Sequence, residues 1–245
     1  MPARSVFATL FDFDGVLVDS EPVHLLAFND VLAAHGIHID DRTYAERYLA
    51  LDDAGVFRAA LESLGAPADP ATIASLVAAK SPRFLARFAE AFRPFDGAAE
   101  LVRRRARRGP VGIVSGALHD EIAFALERLD LAGAVSFIVS AESTAASKPD
   151  PAPYLLAVES LRARGHEGRV VVVEDSLGGL ASAKAAGLRC VAVAHTYPTA
   201  ELRAAGADAV AADLAALGDD LLEGLAAVAT PGAPEHAAGR EGTRG

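Results

Sequence analysis

The sequence predicts an α/β fold built on a doubly wound parallel sheet, and three features of the chain support this. Short apolar, β-branched runs recur along the chain, separated by stretches with helical spacing. These runs are almost continuously apolar, which is typical of parallel strands covered on both faces. Glycines follow several helical stretches at positions where helices are expected to end. Alternation of strands and helices gives a doubly wound sheet that binds its ligands at the carboxyl ends of the strands.

The strands and helices of the sheet follow one another in chain order. The predicted strands are VFATLFD (6–12), VGIVS (111–115), VSFIV (135–139), VVVVE (170–174), CVAVA (190–194) and, more weakly, ADAVAA (207–212). Helical spacing predicts the intervening helices at 97–108, 118–130, 152–164 and 177–187.

One interval breaks this alternation, because almost one hundred residues separate the first strand from the second. A single crossover helix needs far fewer. The sequence of this interval predicts helices at 22–36, 53–64 and 70–91. Pro82 is expected to kink or restart the last of them. We therefore expect an inserted helical domain that lies over the ligand site as a lid.

These patterns predict the organisation of the whole chain. The core α/β domain is expected at 1–17 and 93–229, and the helical cap domain at 18–92. The Gly-, Pro- and Ala-rich segment at 230–245 has no periodicity, and we interpret it as a disordered tail.

The composition limits the partners that the chain can have. No apolar run approaches the roughly 18 residues of a membrane span. The net charge of −10 argues against nucleic acid, which is bound mainly through Lys and Arg. The run RRRARR (103–108) ends a predicted helix, where cations suit the helix dipole and face solvent. Cys190 is the single cysteine and suits a reducing compartment. We expect a cytoplasmic monomer or weak dimer with no membrane or nucleic-acid partner.

Polar side chains follow four of the predicted strands, where parallel strands share one edge of the sheet. They are Asp12, Asp14, Ser115, Lys148, Glu174 and Asp175, and Gly116 follows Ser115 directly. Converging carboxylates need a cation, and oxygen ligands without His or Cys favour Mg²⁺. Ser115 and Lys148 offer a hydroxyl donor and a charge, and Gly116 lets the backbone approach an anion. The sequence therefore predicts a magnesium site that binds a phosphoryl group beside a carboxylate nucleophile.

Four motifs, in this order, carry a family resemblance: DFDGVLVDSE, VSGA, SKPDP and VVVVEDSLGGLASAKAAG. The chain resembles the haloacid dehalogenase superfamily over about residues 5–215, and most of all its β-phosphoglucomutase and phosphoglycolate phosphatase-like branch. The resemblance implies a Rossmann-like core with a helical cap.

The resemblance also implies catalytic roles. Asp12 would be the nucleophile that becomes an aspartyl-phosphate, and Asp14 the general acid and base. Ser115 and Lys148 would hold the transferring phosphoryl group. Asp14 must be protonated to serve a leaving alkoxide, and we expect the neighbouring carboxylate to raise its pKa.

The same resemblance implies a Mg²⁺ site formed by Asp12, Asp14, Glu174 and Asp175. Asp14 would contribute its backbone carbonyl oxygen. Glu174 and Asp175 would complete the site, with Asp175 rather than Glu174 in direct contact with the metal.

Substrate contacts are expected from Gly116 and from three residues of the cap. Glu21, His24 and Lys80 lie where related enzymes contact the substrate, although His24 could equally be a packed or solvated histidine. The loop YLALDDAGVF (48–57) lacks the Gly and Arg with which β-phosphoglucomutases grip a sugar phosphate.

We therefore expect a Mg²⁺-dependent phosphatase that hydrolyses a sugar phosphate or phosphoglycolate-like metabolite through an aspartyl-phosphate. The alternative is a phosphosugar mutase of the β-phosphoglucomutase type. A dehalogenase is disfavoured, since those enzymes need no second aspartate at the position of Asp14. A signalling receiver domain also groups acids, a hydroxyl and a Lys, but is about half this length and has no cap. Catalytic release of phosphate would separate an enzyme from a receiver.

Overall fold

The computed structural model describes residues 6–49 and 51–228. Within these ranges one parallel sheet is formed by β1 (Ala8–Phe11), β2 (Val111–Val114), β3 (Phe137–Val139), β4 (Val170–Glu174), β5 (Arg189–Val193) and β6 (Ala209–Ala211). The strand order is β3-β2-β1-β4-β5-β6, so the sheet winds outward from β1 in both directions. The predicted doubly wound parallel sheet is confirmed. The predicted tail at 230–245 lies outside the described residues.

Ten α-helices accompany the sheet in the described ranges. They are α1 (Glu21–Leu32), α2 (Asp41–Arg47), α3 (Asp53–Glu62), α4 (Pro70–Glu90), α5 (Ala98–Ala106), α6 (His119–Arg128), α7 (Ala152–Ala163), α8 (Leu177–Ala185), α9 (Thr199–Ala204) and α10 (Asp219–Ala227). The sequence analysis did not predict α2, α9 or α10. None of the helices in these ranges combines the length and apolar character needed to cross a bilayer.

The central strand is buried on both faces, as its continuous apolar run predicts. Phe11 belongs to a core cluster shared with α5, α6 and α10. Leu10 points to the other face and packs with Tyr154 of α7 and Leu180 of α8. Helices on both faces therefore leave only the strand ends open to a ligand.

Helices α1 to α4 all lie between β1 and β2 and have a hydrophobic cluster of their own, which includes Phe28 and Phe57. We call these helices and their loops the helical unit. Phe84 and Phe88 of α4 pack instead into the large cluster of the sheet. The helical unit therefore has a hydrophobic core of its own and also packs against the sheet domain through α4.

Pro82 lies inside α4, which continues from Pro70 to Glu90. The prediction was that Pro82 kinks or restarts the helix at 70–91, and the restart is wrong because the helix is continuous. Ile73 and Phe84 are buried on either side of the proline. Tertiary packing therefore holds the helix together across the position where proline removes a backbone hydrogen bond.

The expectation that the arginine run faces solvent is wrong for Arg105, which is only 1% exposed. Its guanidinium lies 4.0 Å from the ring centre of Phe7, and its Nε donates to Thr9 Oγ1 at 3.1 Å. Nη1 is 3.3 Å from Asp219 Oδ1. Asp219 begins α10, so the partner of Arg105 belongs to a helix that the sequence pattern did not predict.

Candidate active site

A cavity of about 160 Å³ lies between the carboxyl ends of the strands and the helical unit. Eight predicted site residues line it: Asp12, Asp14, Glu21, His24, Ser115, Gly116, Lys148 and Asp175. Glu174 and Lys80 are fully buried behind its walls. The strand topology has thus brought together residues from four separate motifs.

Three buried carboxylates form an acidic cluster at the base of this cavity. Asp12, Glu174 and Asp175 each offer an oxygen, and these oxygens lie within 4.8 Å of one another. Lys148 Nζ lies 2.9 Å from Asp12 Oδ1 and 2.6 Å from Glu174 Oε1. Burial and Glu174 raise the pKa of Asp12 to about 7, and burial and Asp12 also raise the pKa of Asp175. One lysine can balance only one of the three acids, so the cluster keeps an excess of carboxyl groups over cations.

Asp175 carries the atom that most directly fits a metal ion. Its Oδ2 accepts a hydrogen bond from Thr196 Oγ1, whereas its buried Oδ1 has no partner. Gly15 has a φ of +74°, and a Cβ there would lie 1.9 Å from Asp175 Oδ2. The loop after β1 thus closes tightly on Asp175. A buried carboxylate oxygen without a donor, next to two further acids, fits a hard divalent cation such as Mg²⁺.

Glu174 is bound by protein donors at both of its oxygens. Oε1 accepts from Lys148 Nζ and from Tyr154 OH at 2.7 Å, and Oε2 accepts from Ser176 Oγ at 3.1 Å. A Cβ at Gly179 would lie 1.9 Å from Oε1, so the helix that follows β4 must pass close to this carboxylate. Glu174 therefore holds Lys148 in position.

Asp14 turns away from the acidic cluster. Ser20 Oγ donates to Asp14 Oδ1, and His24 Nε2 lies 3.6 Å from the same oxygen. Burial raises the pKa of Asp14, but His24 and Ser20 outweigh it and hold that pKa below its ordinary value. The expectation that the neighbouring carboxylate raises the pKa of Asp14 is therefore wrong. The strand ends at Phe11, so Asp12 and Asp14 need not face the same way.

Lys80 reaches the site through His24 and Asp53, which both line the cavity. Its Nζ lies 2.7 Å from His24 Nδ1 and 2.6 Å from Asp53 Oδ1. The ammonium is also 4.5 Å from the ring centre of Phe28 and 5.1 Å from that of Phe84. The aromatic rings and Asp53 together hold a buried cation behind the histidine.

The remaining predicted residues face the cavity directly. Tyr44 OH donates to Glu21 Oε2 at 2.6 Å, and burial raises the pKa of Glu21. Ser115 Oγ accepts from the backbone N–H of Ala117 at 3.0 Å, which leaves the hydroxyl proton able to donate to a ligand. A Cβ at Gly116 would meet no protein atom within 4 Å.

Several residues around the site were missed by the sequence analysis: Ser20, Tyr44, Asp53, Glu121, Tyr154 and Thr196. Ser20 lies within the first motif and could have been found there. Glu121 is buried on α6, and burial raises its pKa to about 7. The others come from elements that no motif marks, so only the fold reveals them.

Comparison with known proteins agrees with this arrangement. Haloacid dehalogenase-like hydrolases match the chain over residues 9–193, and the chain belongs to this family. Protein CbbY of Cereibacter sphaeroides is 36% identical over 222 residues, covering 86% of this chain and 94% of the relative. Phosphoglycolate phosphatase of Rhodospirillum rubrum is 32% identical over 220 residues, covering 86% and 89%.

A crystal structure of a CbbY variant from Rhodobacter sphaeroides in complex with xylulose 1,5-bisphosphate has a TM-score of 0.75. It is 29% identical and covers 87% of this chain and 97% of that one. Together with the phosphatase relatives, these matches make the chain a phosphoric monoester hydrolase of the β-phosphoglucomutase and phosphoglycolate phosphatase-like branch.

Proposed function

We propose that this phosphatase uses Mg²⁺ and hydrolyses a small, sugar-like phosphate monoester through an aspartyl-phosphate on Asp12. The observation that carries the proposal is the acidic cluster at the strand ends, with the unpartnered Oδ1 of Asp175 and the nearby charge of Lys148. The relatives support the substrate class, since one related structure contains a sugar bisphosphate and one relative is a phosphoglycolate phosphatase.

In the first step, an Asp12 carboxylate oxygen attacks phosphorus, and the bond from phosphorus to the substrate oxygen breaks. Because His24 and Ser20 keep the pKa of the free Asp14 low, Asp14 takes up a proton from the bound phosphate monoester and passes it to that leaving oxygen. In the second step, water attacks the phosphorus of the aspartyl-phosphate and loses a proton to Asp14. The bond between phosphorus and the Asp12 oxygen then breaks, which releases phosphate and frees the Asp12 carboxylate. Asp14 passes its proton to the departing phosphate or to solvent, which restores its carboxylate.

Lys148 and Ser115 have the chemistry to hold the phosphoryl oxygens during both steps. Lys148 also donates to the carbonyl of Val114 at 2.9 Å, so its ammonium is anchored to the end of β2 as well as to the acids. Although burial lowers its pKa, Asp12 and Glu174 raise it above its ordinary value. The lysine therefore stays charged at the pH where the enzyme works.

The residues that would hold Mg²⁺ are Asp12, Asp175 and the carbonyl of Asp14, with Glu174 beside them. When bound, the ion supplies positive charge that neutralises these acids and stabilises charge on the transferring phosphoryl group.

We assign residues 18–92 to a cap and the remainder of the described chain to the core. Ser147 Oγ of the core donates to Asp52 Oδ2 of the helical unit at 3.0 Å, which closes one side of the cavity. A cap in this position limits the access of bulk water to the phosphoryl site, which strengthens the interactions of Lys148 with the transferring group.

We also propose that the enzyme is cytoplasmic and a monomer or weak dimer. Cys190 is buried and unpaired, which suits a reducing compartment. Light scattering at several protein concentrations tests the oligomeric state.

The test of the function is phosphate release from a panel of phosphoesters with Mg²⁺, scored by kcat/KM. We expect turnover of sugar phosphates by the parent and none by Asp12→Asn. Activity that survives exhaustive EDTA treatment would refute the proposed requirement for Mg²⁺. If phosphate is released from none of the esters, the proposed phosphatase activity is wrong.

A further inference from the structure

We infer that the preferred substrate is a monophosphate whose leaving group carries hydroxyl or amine donors and no second anionic group. This inference rests on the proposed function and narrows its substrate class. It follows from the charges that the cavity presents away from the phosphoryl site.

The helical unit lines the cavity with carboxylates. We call the cavity-lining residues of this unit the helical wall. Its acids are Glu21, Asp52 and Asp53, and it also contains the apolar side chains of Leu49 and Leu51. A phosphate or carboxylate at the far end of a substrate would therefore face three acids.

Within the described part of the helical wall, His24 is the one basic side chain, and its Nε2 lies 3.6 Å from Asp14 Oδ1. Among the described residues that line the cavity, Lys148 is the one Lys or Arg, and it is bound to Asp12 and Glu174. Lys80 lies behind the wall with a fully buried side chain, and its charge is matched by Asp53 at 2.6 Å. A second anion would therefore meet the carboxylates of Glu21 and Asp52 with no lysine or arginine of the described lining left to bind it, and repulsion between like charges would oppose its binding.

The carboxylates are also hydrogen-bond acceptors that require donors from the ligand. Asp52 already accepts from Gly55 N–H at 2.8 Å and from Ser147 Oγ at 3.0 Å, and Glu21 accepts from Tyr44 OH. Each carboxylate oxygen has two lone pairs, so further acceptance is available. Hydroxyl and ammonium groups supply what these oxygens accept, and the leucines suit the carbon face of a ring.

According to this inference, the preferred substrate of this chain differs from the compounds associated with two of its relatives. Xylulose 1,5-bisphosphate in the CbbY structure has a second phosphate, and phosphoglycolate has a carboxylate. It also counts against a phosphosugar mutase, because a bisphosphorylated intermediate needs a second cationic site that the helical wall lacks.

The first experiment compares four compounds that all carry a 6-phosphate and differ in the groups at C1 or C2. They are glucose 6-phosphate, glucosamine 6-phosphate, 6-phosphogluconate and fructose 1,6-bisphosphate. Each is measured as a substrate with Mg²⁺ and as a competitive inhibitor of p-nitrophenyl phosphate hydrolysis. We expect kcat/KM for glucose 6-phosphate and glucosamine 6-phosphate to be at least about tenfold higher than for the two compounds with a second anionic group. For compounds that are not turned over, the inhibition constants should differ by the same factor. Equal values for the four compounds, or a preference for the doubly anionic pair, overturn the inference.

The second experiment changes the wall without changing its shape. Asp52→Asn keeps a residue type that caps helices, and Glu21→Gln keeps an acceptor for Tyr44. Each should increase the ratio of kcat/KM for 6-phosphogluconate to that for glucose 6-phosphate by several-fold. Glu62→Gln removes the same charge from an exposed position of α3 outside the cavity and should leave the ratio unchanged.

The outcomes distinguish the two proposals. If the parent fails to hydrolyse even p-nitrophenyl phosphate, the proposed function fails. If it hydrolyses p-nitrophenyl phosphate, but the ratio is the same in the wall variants and in Glu62→Gln, only the inference about the wall fails.

Discussion

Lys80 Nζ lies 2.7 Å from His24 Nδ1, and this contact fixes the tautomer of the histidine that faces Asp14. An ammonium group can only donate, so Nδ1 must accept and the ring proton must be on Nε2. Nε2 is 3.6 Å from Asp14 Oδ1. A buried cation of the helical unit thereby orients a donor toward the proposed general acid and base of the core.

Replacing Lys80 should cost the fold more than replacing an exposed cation of the same helix. Lys80→Met leaves Asp53 without its buried partner, which should lower the free energy of unfolding by about 3–5 kcal/mol. Arg87→Met breaks a pair with Asp30 whose side chains are 39% and 34% exposed, and should cost only about 0–1 kcal/mol. Urea unfolding of the two variants and the parent measures both values. Equal costs would show that the buried pair contributes no more than the exposed one.

Removing the carboxyl proton donor should matter most for poor leaving groups. Asp14→Asn should slow transfer from a sugar phosphate by about 10²–10⁴, because a sugar alkoxide must be protonated as it leaves. It should retain far more of its first-step rate on p-nitrophenyl phosphate, since p-nitrophenolate leaves without a proton. Stopped-flow absorbance should then record a burst of p-nitrophenol before a slow steady rate. An equal loss on both substrates would argue against general acid catalysis by Asp14.

The lysine of the phosphoryl site should contribute more than the serine. Lys148→Ala removes a full charge and leaves Asp12 and Glu174 facing each other, so kcat/KM should fall by about 10³ or more. Ser115→Ala removes one neutral donor beside backbone amides and should cost about 10–10². Steady-state kinetics on one substrate gives both values. Comparable losses would mean that the charge of Lys148 has no special part in holding the phosphoryl group.

Metal binding should stabilise the protein in the absence of substrate. Mg²⁺ should raise the Tm of the EDTA-treated parent, because the ion relieves repulsion among three acids in the native state alone. Asp175→Asn should abolish this increase. Asp120→Asn, in which an acid that is 86% exposed loses its charge, should keep it. An increase in Tm that survives in Asp175→Asn would mean that the ion binds elsewhere.

The sheet and the convergence of its acids could be predicted because both depend on strong local signals. Continuous apolar runs marked the strands, and the topology of a parallel sheet brings residues such as Asp12 and Asp175 to one edge. The two glycines that allow close packing against the acids, Gly15 and Gly179, were also visible in the motifs.

The burial and partners of individual charged side chains could not be predicted, because they depend on contacts between segments far apart in sequence. Lys80 meets Asp53 only after α3 and α4 pack together, and Arg105 is buried only because α10 provides Asp219. The low pKa of Asp14 depends on His24, which belongs to the helical unit. Periodicity in a single segment carries no information on such partners.

The most direct test of the account is to trap the phosphorylated enzyme. A single turnover with ³²P-labelled sugar phosphate and Mg²⁺, quenched in acid, is followed by peptide mapping of the label. We predict label on the peptide that contains Asp12, more of it in Asp14→Asn, where the second step is slowed, and none in Asp12→Asn. Label on a different residue, or turnover by Asp12→Asn at the parent rate, would contradict the central claim that Asp12 is the nucleophile.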